Sequence, residues 1–306
     1  MSKRLILALT LAATLVATAA GVLVSPARAT YPGDVGRLAF GMRDSANNPQ
    51  IFTALPNGAG MHQLTTGSGF NACAAYSPDG KQIAFCSGRS GAFEIWAMKQ
   101  NGHDLHQVTD LGGSATFPDY SPDGSRIAFS GTEGDAQTDQ IYVVNSDGSG
   151  FKALTNDTSN NDYPAYSPDG SKIAFISDRT GIEQVWEMNS NGSSPVQLTH
   201  SGITNDQLPD WSPDGTKIAY EQGDFPGHIF VMNANGSNPT QLTDGNADDF
   251  GAAWSPDGTQ IAFVRNYGNG DRPVMIMNAD GSNQHQLLPG KWIGFVPAWQ
   301  PLGAGD

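Results

Sequence analysis

The tetrapeptide Ser-Pro-Asp-Gly occurs five times, at Ser77–Gly80, Ser121–Gly124, Ser167–Gly170, Ser212–Gly215 and Ser255–Gly258. From one turn aspartate to the next the steps are 44, 46, 45 and 43 residues. Each member of the turn has its own physical reason. Proline presets φ, the aspartate side chain bonds nearby backbone, and glycine takes a left-handed conformation without steric cost. A turn repeated at that interval marks one supersecondary unit copied along the chain, each copy needing its neighbours to bury its faces.

Four strand-like runs surround each turn. An aromatic precedes it (Tyr76, Tyr120, Tyr166, Trp211, Trp254 and, without the turn, Trp299), and a large-small-large triplet such as Ile83-Ala84-Phe85 or Ile261-Ala262-Phe263 follows. The alternation puts two bulky groups on one face and leaves alanine where a neighbouring sheet packs close. A third run (Ile95-Trp96, Val185-Trp186 and their equivalents) ends at Asn-Gly or Asp-Gly in all six copies, the strongest short-range hairpin signal. The last run closes on Leu-Thr or Val-Thr in five copies and on Leu287-Leu288 in the sixth. The pattern predicts an all-β fold, a six-bladed β-propeller with four antiparallel strands per blade. The first repeat lacks an innermost strand, and Pro297-Ala298-Trp299 supplies one, so the C-terminal strand is expected to join the N-terminal blade and close the ring.

Residues 1–29 read as a signal peptide: Lys3 and Arg4, an apolar stretch Leu5 to Val24, then Ala27-Arg28-Ala29 as a small-x-small cleavage site. Retention as a membrane anchor is the alternative, since about 20 apolar residues just span a bilayer. Residues 30–306 form the propeller domain. Removing Lys3, Arg4 and Arg28 leaves 13 basic against 30 acidic residues, a net charge of −17. Such a surface repels phosphates and argues against nucleic acid or anionic membrane as a partner, so no membrane insertion of the mature chain is expected.

The aromatic-Ser-Pro-Asp-Gly turns, Ile-Ala-Phe strands, Asn/Asp-Gly hairpins and Leu-Thr closers resemble the TolB-like propeller family of WD40-like (PD40) repeats, across essentially all of the mature chain. The resemblance implies a periplasmic or secreted protein that uses its propeller as a binding surface; the chain is expected to be a monomer. TolB-like proteins carry an α/β domain ahead of the propeller; here only Thr30 to Arg37 precede the first strand, so functions of that domain are not implied. Similar repeats also form screening propellers of prolyl-peptidase-like enzymes. The shared motifs are scaffold motifs and transfer no binding residue.

Catalytic signatures are lacking. There is no Gly-x-Ser-x-Gly elbow, no His-Glu-x-x-His and no Cys-x-x-Cys. His62, His106 and His285 recur at one repeat position, which is repeat grammar. No cofactor is implied. Calcium is the one metal reading left open, at Asp119 and Asp210 beside Tyr120 and Trp211 over the central channel. Cys73 and Cys86 flank the first turn. If Ser77 pairs with Gln82, paired numbers sum to 159 and the cysteines face each other as a disulfide; a glycine-bulge closure gives 158 and opposite faces.

Recognition is expected on the loops that escape the repeat grammar, those joining second to third strands and those between blades, which emerge on one face of the disk. Asp178, Arg179, Asp248, Asp249, Phe250 and Trp292 are the candidate partner-binding residues. The reading is an exported, non-catalytic scaffold that binds a protein or cell-envelope component. The alternative is an extracellular carbohydrate-active or peptidase-associated propeller with a ligand or cation over the channel.

Overall fold

The computed structural model of the chain describes residues 33–202, 205–288 and 294–303. The signal segment and Trp292 lie outside the described residues. Six four-stranded antiparallel sheets make six blades. Blade 5 is representative: an inner strand Asp206–Trp211, a second strand Lys217–Gln222, a third strand His228–Asn233 and a two-residue outer strand Thr240–Gln241. Blade 1 takes its inner strand, Gly294–Leu302, from the C-terminal end of the chain and the other three from Asp34–Arg43, Pro49–Ala54 and His62–Gln63. Leu38 pairs with Trp299 and Ala39 with Ala298, which closes the ring as the repeat count requires.

The repeat motifs work as hydrogen-bonding devices. In all five Ser-Pro-Asp-Gly turns the serine hydroxyl donates to the aspartate Oδ1 at 2.6–2.7 Å. The same hydroxyl accepts the backbone N–H five residues on at 2.9 Å. The threonine of each Leu-Thr or Val-Thr closer accepts a third-strand N–H on its Oγ1 at 2.8–3.0 Å, as with Ile95 to Thr109 and Ile229 to Thr243. A side chain thus continues the ladder where the outer strand stops after two residues. Leu288 has no hydroxyl, so the sixth repeat lacks this bond.

The core lies between blades. Each of the six apolar clusters joins residues of two neighbouring sheets. The cluster that seals the ring packs Leu38, Phe40 and Trp299 of blade 1 against Ala262, Ile276 and Leu287 of blade 6. Trp299 Nε1 donates to the Ala253 carbonyl at 3.0 Å across that seam.

Every innermost strand departs from the expected regular pairing. In blade 2 the register starts at a sum of 159, with Tyr76 opposite Ile83, then shifts so that Ala72 faces Cys86. Equivalent shifts fall between Thr116 and Asp119, Asp162 and Ala165, Gln207 and Asp210, and Phe250 and Ala253. Each bulge holds one left-handed residue: Cys73 (φ 56°), Phe117 (50°), Tyr163 (53°), Leu208 (51°) and Gly251 (66°). The two registers anticipated for the cysteines therefore both occur, one on each side of the bulge. Cys86 lies opposite Ala72, and Cys73 sits in the bulge itself.

A candidate binding face around the channel mouth

The bulge residues converge on the axis. Cys73, Phe117, Tyr163, Leu208, Gly251 and Val296 line the central cavity, about 150 Å3 in volume. Bulky residues in the left-handed region cost of order 1–3 kcal/mol each, so the packing of the surrounding blades must hold these bulges in place. Phe117 and Tyr163 rings meet at 4.2 Å between centroids. At Gly251 a Cβ would come within 3.1 Å of Val296, so the closing strand presses on the one bulge that has no side chain. Contact with the Cys86 thiol and then burial hold the Cys73 thiol well above its ordinary pKa.

Asp119 and Asp210, the carboxylates expected over the channel, each accept a backbone bond from another blade. Asp119 Oδ2 accepts the Tyr166 N–H at 2.7 Å, and Asp210 Oδ2 accepts the Trp254 N–H at the same distance, each tying its blade to the next. Burial, reinforced by the Asp210 charge, pushes the Asp119 carboxyl well up.

The irregular loops share one face, as bonds between them show. Asp178 accepts from the backbone and side-chain nitrogens of Asn160 at 2.9 Å, and Asp224 accepts from the Asn205 side chain at 2.9 Å. Asp248 Oδ1 accepts the Gly227 N–H at 2.9 Å. Asp178, Asp248 and Phe250 are half-buried at this rim. Arg179 lies on the second-to-third-strand loop, as anticipated, but is engaged by neighbours, and Asp249 has a different position from the one anticipated. Arg179 stacks over Trp186 at 4.7 Å, bonds Ser177 and Asn161, and pairs with Asp157. Asp249 is fully buried and holds Arg265 through two bonds of 2.7 and 2.8 Å. Asp249 lies in an inner strand and not on a loop between blades: Asp248–Trp254 is strand throughout.

Three blades end in such an arginine clamp. Arg89 of blade 2 repeats the Arg179 geometry with Ser87, Asn71 and Trp96, and Arg265 closes blade 6 over Phe263. The Ser-x-Arg of residues 87–89 and 177–179 was the available sequence signal. The two most exposed aromatic side chains among the described residues are Phe225 (65%) and Tyr267 (49%), in the second-to-third-strand loops of blades 5 and 6; of the two, sequence reasoning missed Phe225. Glu221, near the end of the second strand of blade 5, is only 8% exposed. Burial first, then the Asp248, Glu183 and Asp249 charges, push its carboxyl up to about 8. Asp162, half-buried near the same mouth, is raised to about 6, chiefly by desolvation.

The same architecture recurs among solved structures. TolB from Acinetobacter baumannii superposes with a TM-score of 0.76 at 24% identity, over 89% of this chain and 68% of that one. A putative TolB from Agrobacterium tumefaciens gives 0.66 at 22%, over 88% and 100%. A chain of the nidogen–laminin complex gives 0.70 at 13%, over 88% and 99%. At these identities the likeness is one of fold. No curated protein sequence matches the chain. The profile of the TolB beta propeller domain, PD40, matches residues 103–303, more than half of the sequence, and the chain belongs to that family.

Proposed function

We propose that this protein is an exported, non-catalytic propeller that holds a protein or cell-envelope component against its loop face. The asymmetry between the two faces carries the reading. One face is built from near-identical tight turns whose polar groups bond one another. The other combines loops of differing length, the exposed Phe225 and Tyr267, and half-buried Asp178, Asp248 and Phe250. Aromatic side chains among carboxylates and amides suit contact with another macromolecule. The apolar Leu5–Val24 segment behind Lys3 and Arg4 supports export.

The test is capture from an envelope fraction by the immobilised propeller. The double variant Phe225→Ser/Tyr267→Ser should lose the captured partner while melting like the parent. A turn-face variant, Asp147→Lys/Asp280→Lys, should keep it. Equal capture by both variants would refute the placement.

A further inference from the structure

Blade 5 lacks the cation that closes blades 2, 4 and 6. Its inner and second strands pair Asp206 with Gln222, in the register where blade 6 pairs Asp249 with Arg265. Asp206 is fully buried; Gln222 donates to its Oδ1 at 2.9 Å, and its Oδ2 has no partner among the described residues. The aromatic pair that carries an arginine elsewhere is present as Tyr220 and Phe230, 5.8 Å apart. The stretch Gln222-Gly223-Asp224-Phe225-Pro226-Gly227 contains no basic residue.

The neighbouring Glu221 is the more accessible consequence. Over nine-tenths buried, it has no hydrogen-bond or ion-pair partner among the described residues, while its carboxylate oxygens keep contact with solvent. A Cβ on Gly227 would come within 2.5 Å of Glu221 Oε1, so the carboxylate lies against a residue with no side chain to cover it. The Gly227 N–H donates to Asp248. On the other side Glu221 pairs in register with Gln207, whose amide donates to Glu183. Glu183 and Asp248 thus lie close enough to Glu221 for their charges to act on it, and none of the three carboxylates has a cation partner among the described residues.

We propose that Glu221, flanked by Glu183 and Asp248, is a subsite that receives an arginine side chain of the bound protein partner. The inference rests on the loop-face reading and names the chemistry it recognises. A guanidinium is planar, weakly hydrated and forked, so it can bridge carboxylates and lie beside an aromatic ring, as Arg265 does between Asp249 and Phe263. The groups facing Glu221 are Glu183, Asp248, Asp249 with its arginine, and the Tyr163 hydroxyl. Because this surround keeps Glu221 protonated at neutral pH, binding of a guanidinium displaces the proton to solvent.

The probe is the capped tripeptide acetyl-Gly-Arg-Gly-amide, titrated calorimetrically into the whole protein in two buffers of different ionisation enthalpy. Binding with release of about one proton near pH 7 is expected, weakened about tenfold or more by Glu221→Gln. The norleucine peptide should not bind. Glu183→Gln, at a half-buried position, should weaken binding several-fold and serves as the second variant if Glu221→Gln fails to fold. Equal binding of the arginine and norleucine peptides, undiminished binding by both variants, or no binding at all would overturn the subsite. So would saturation by calcium that excludes the peptide, which would make the place a metal site. Capture of the partner that survives Glu221→Gln together with unaltered peptide binding overturns the arginine and leaves the loop-face reading standing.

Discussion

Replacing Glu221 with glutamine should stabilise the protein, by an amount that grows with pH. The side chain is 8% exposed and unpaired among the described residues, so its charge has little water and no partner. Its carboxyl is raised from 4.5 to about 8, chiefly by burial and then by Asp248, Glu183 and Asp249. Between those values the folded protein holds a proton that the unfolded chain has released. Stability contributed at this site is therefore full below pH 4.5 and falls continuously towards pH 8. At about 1.4 kcal/mol per pH unit the loss has a ceiling of about 5 kcal/mol, and residual solvent contact brings it to about 3. Glutamine keeps the shape and the neutral state without the titration. Urea unfolding followed by tryptophan fluorescence should give coincident curves for parent and variant at pH 4.5. By pH 8.5 the variant should be more stable by about 3 kcal/mol. Parallel pH profiles, or a difference largest in acid, would show that Glu221 is not a buried, uncompensated carboxyl.

Trp299→Ala removes the main apolar group of the closing strand, buried between Leu38 and blade 6, and leaves the Ala253 carbonyl without its indole donor. The cost should be about 3–5 kcal/mol, about 10 °C in melting temperature; a fall of a degree or two would mean the seam contributes little to ring integrity. We also expect Cys73 and Cys86, in contact as thiols, to be joined when the protein matures in an oxidising compartment. Alkylation of denatured, unreduced protein should then label neither residue, and labelling of both would refute it.

The repeat grammar was enough to derive the ring, because each motif has a local cause: a left-handed glycine, a hydroxyl that bonds a carboxylate, a threonine that extends a ladder. Pairing of Leu38 with Trp299 follows from counting strands. The bulges were hidden because they shift register beyond the turn without altering it, and the residues that carry them (Cys, Phe, Tyr, Leu) include no glycine signal except Gly251. For the same reason Asp248, Asp249 and Phe250 read as a loop between blades, whereas the bulge lengthens the strand enough to include them. Asp249 read as a loop charge because nothing in a single repeat tells that register pairs it with Arg265. Glu221 had a signal. It stands where the other repeats place Cys86, Ser130, Ile176 and Val264, so a charged residue directly after the Ile-Ala-Tyr triplet is out of pattern.

The claim on which the function rests is that partners meet the loop face and not the turn face. Backbone hydrogen exchange of the propeller with and without its captured partner measures this most directly. Protection should concentrate at residues 223–227 and 266–273 and around the channel mouth, leaving the Ser-Pro-Asp-Gly turns at 77–80, 121–124, 167–170, 212–215 and 255–258 exchanging as before. Slowed exchange at those turns, with the blade 5 and 6 loops unchanged, would contradict it.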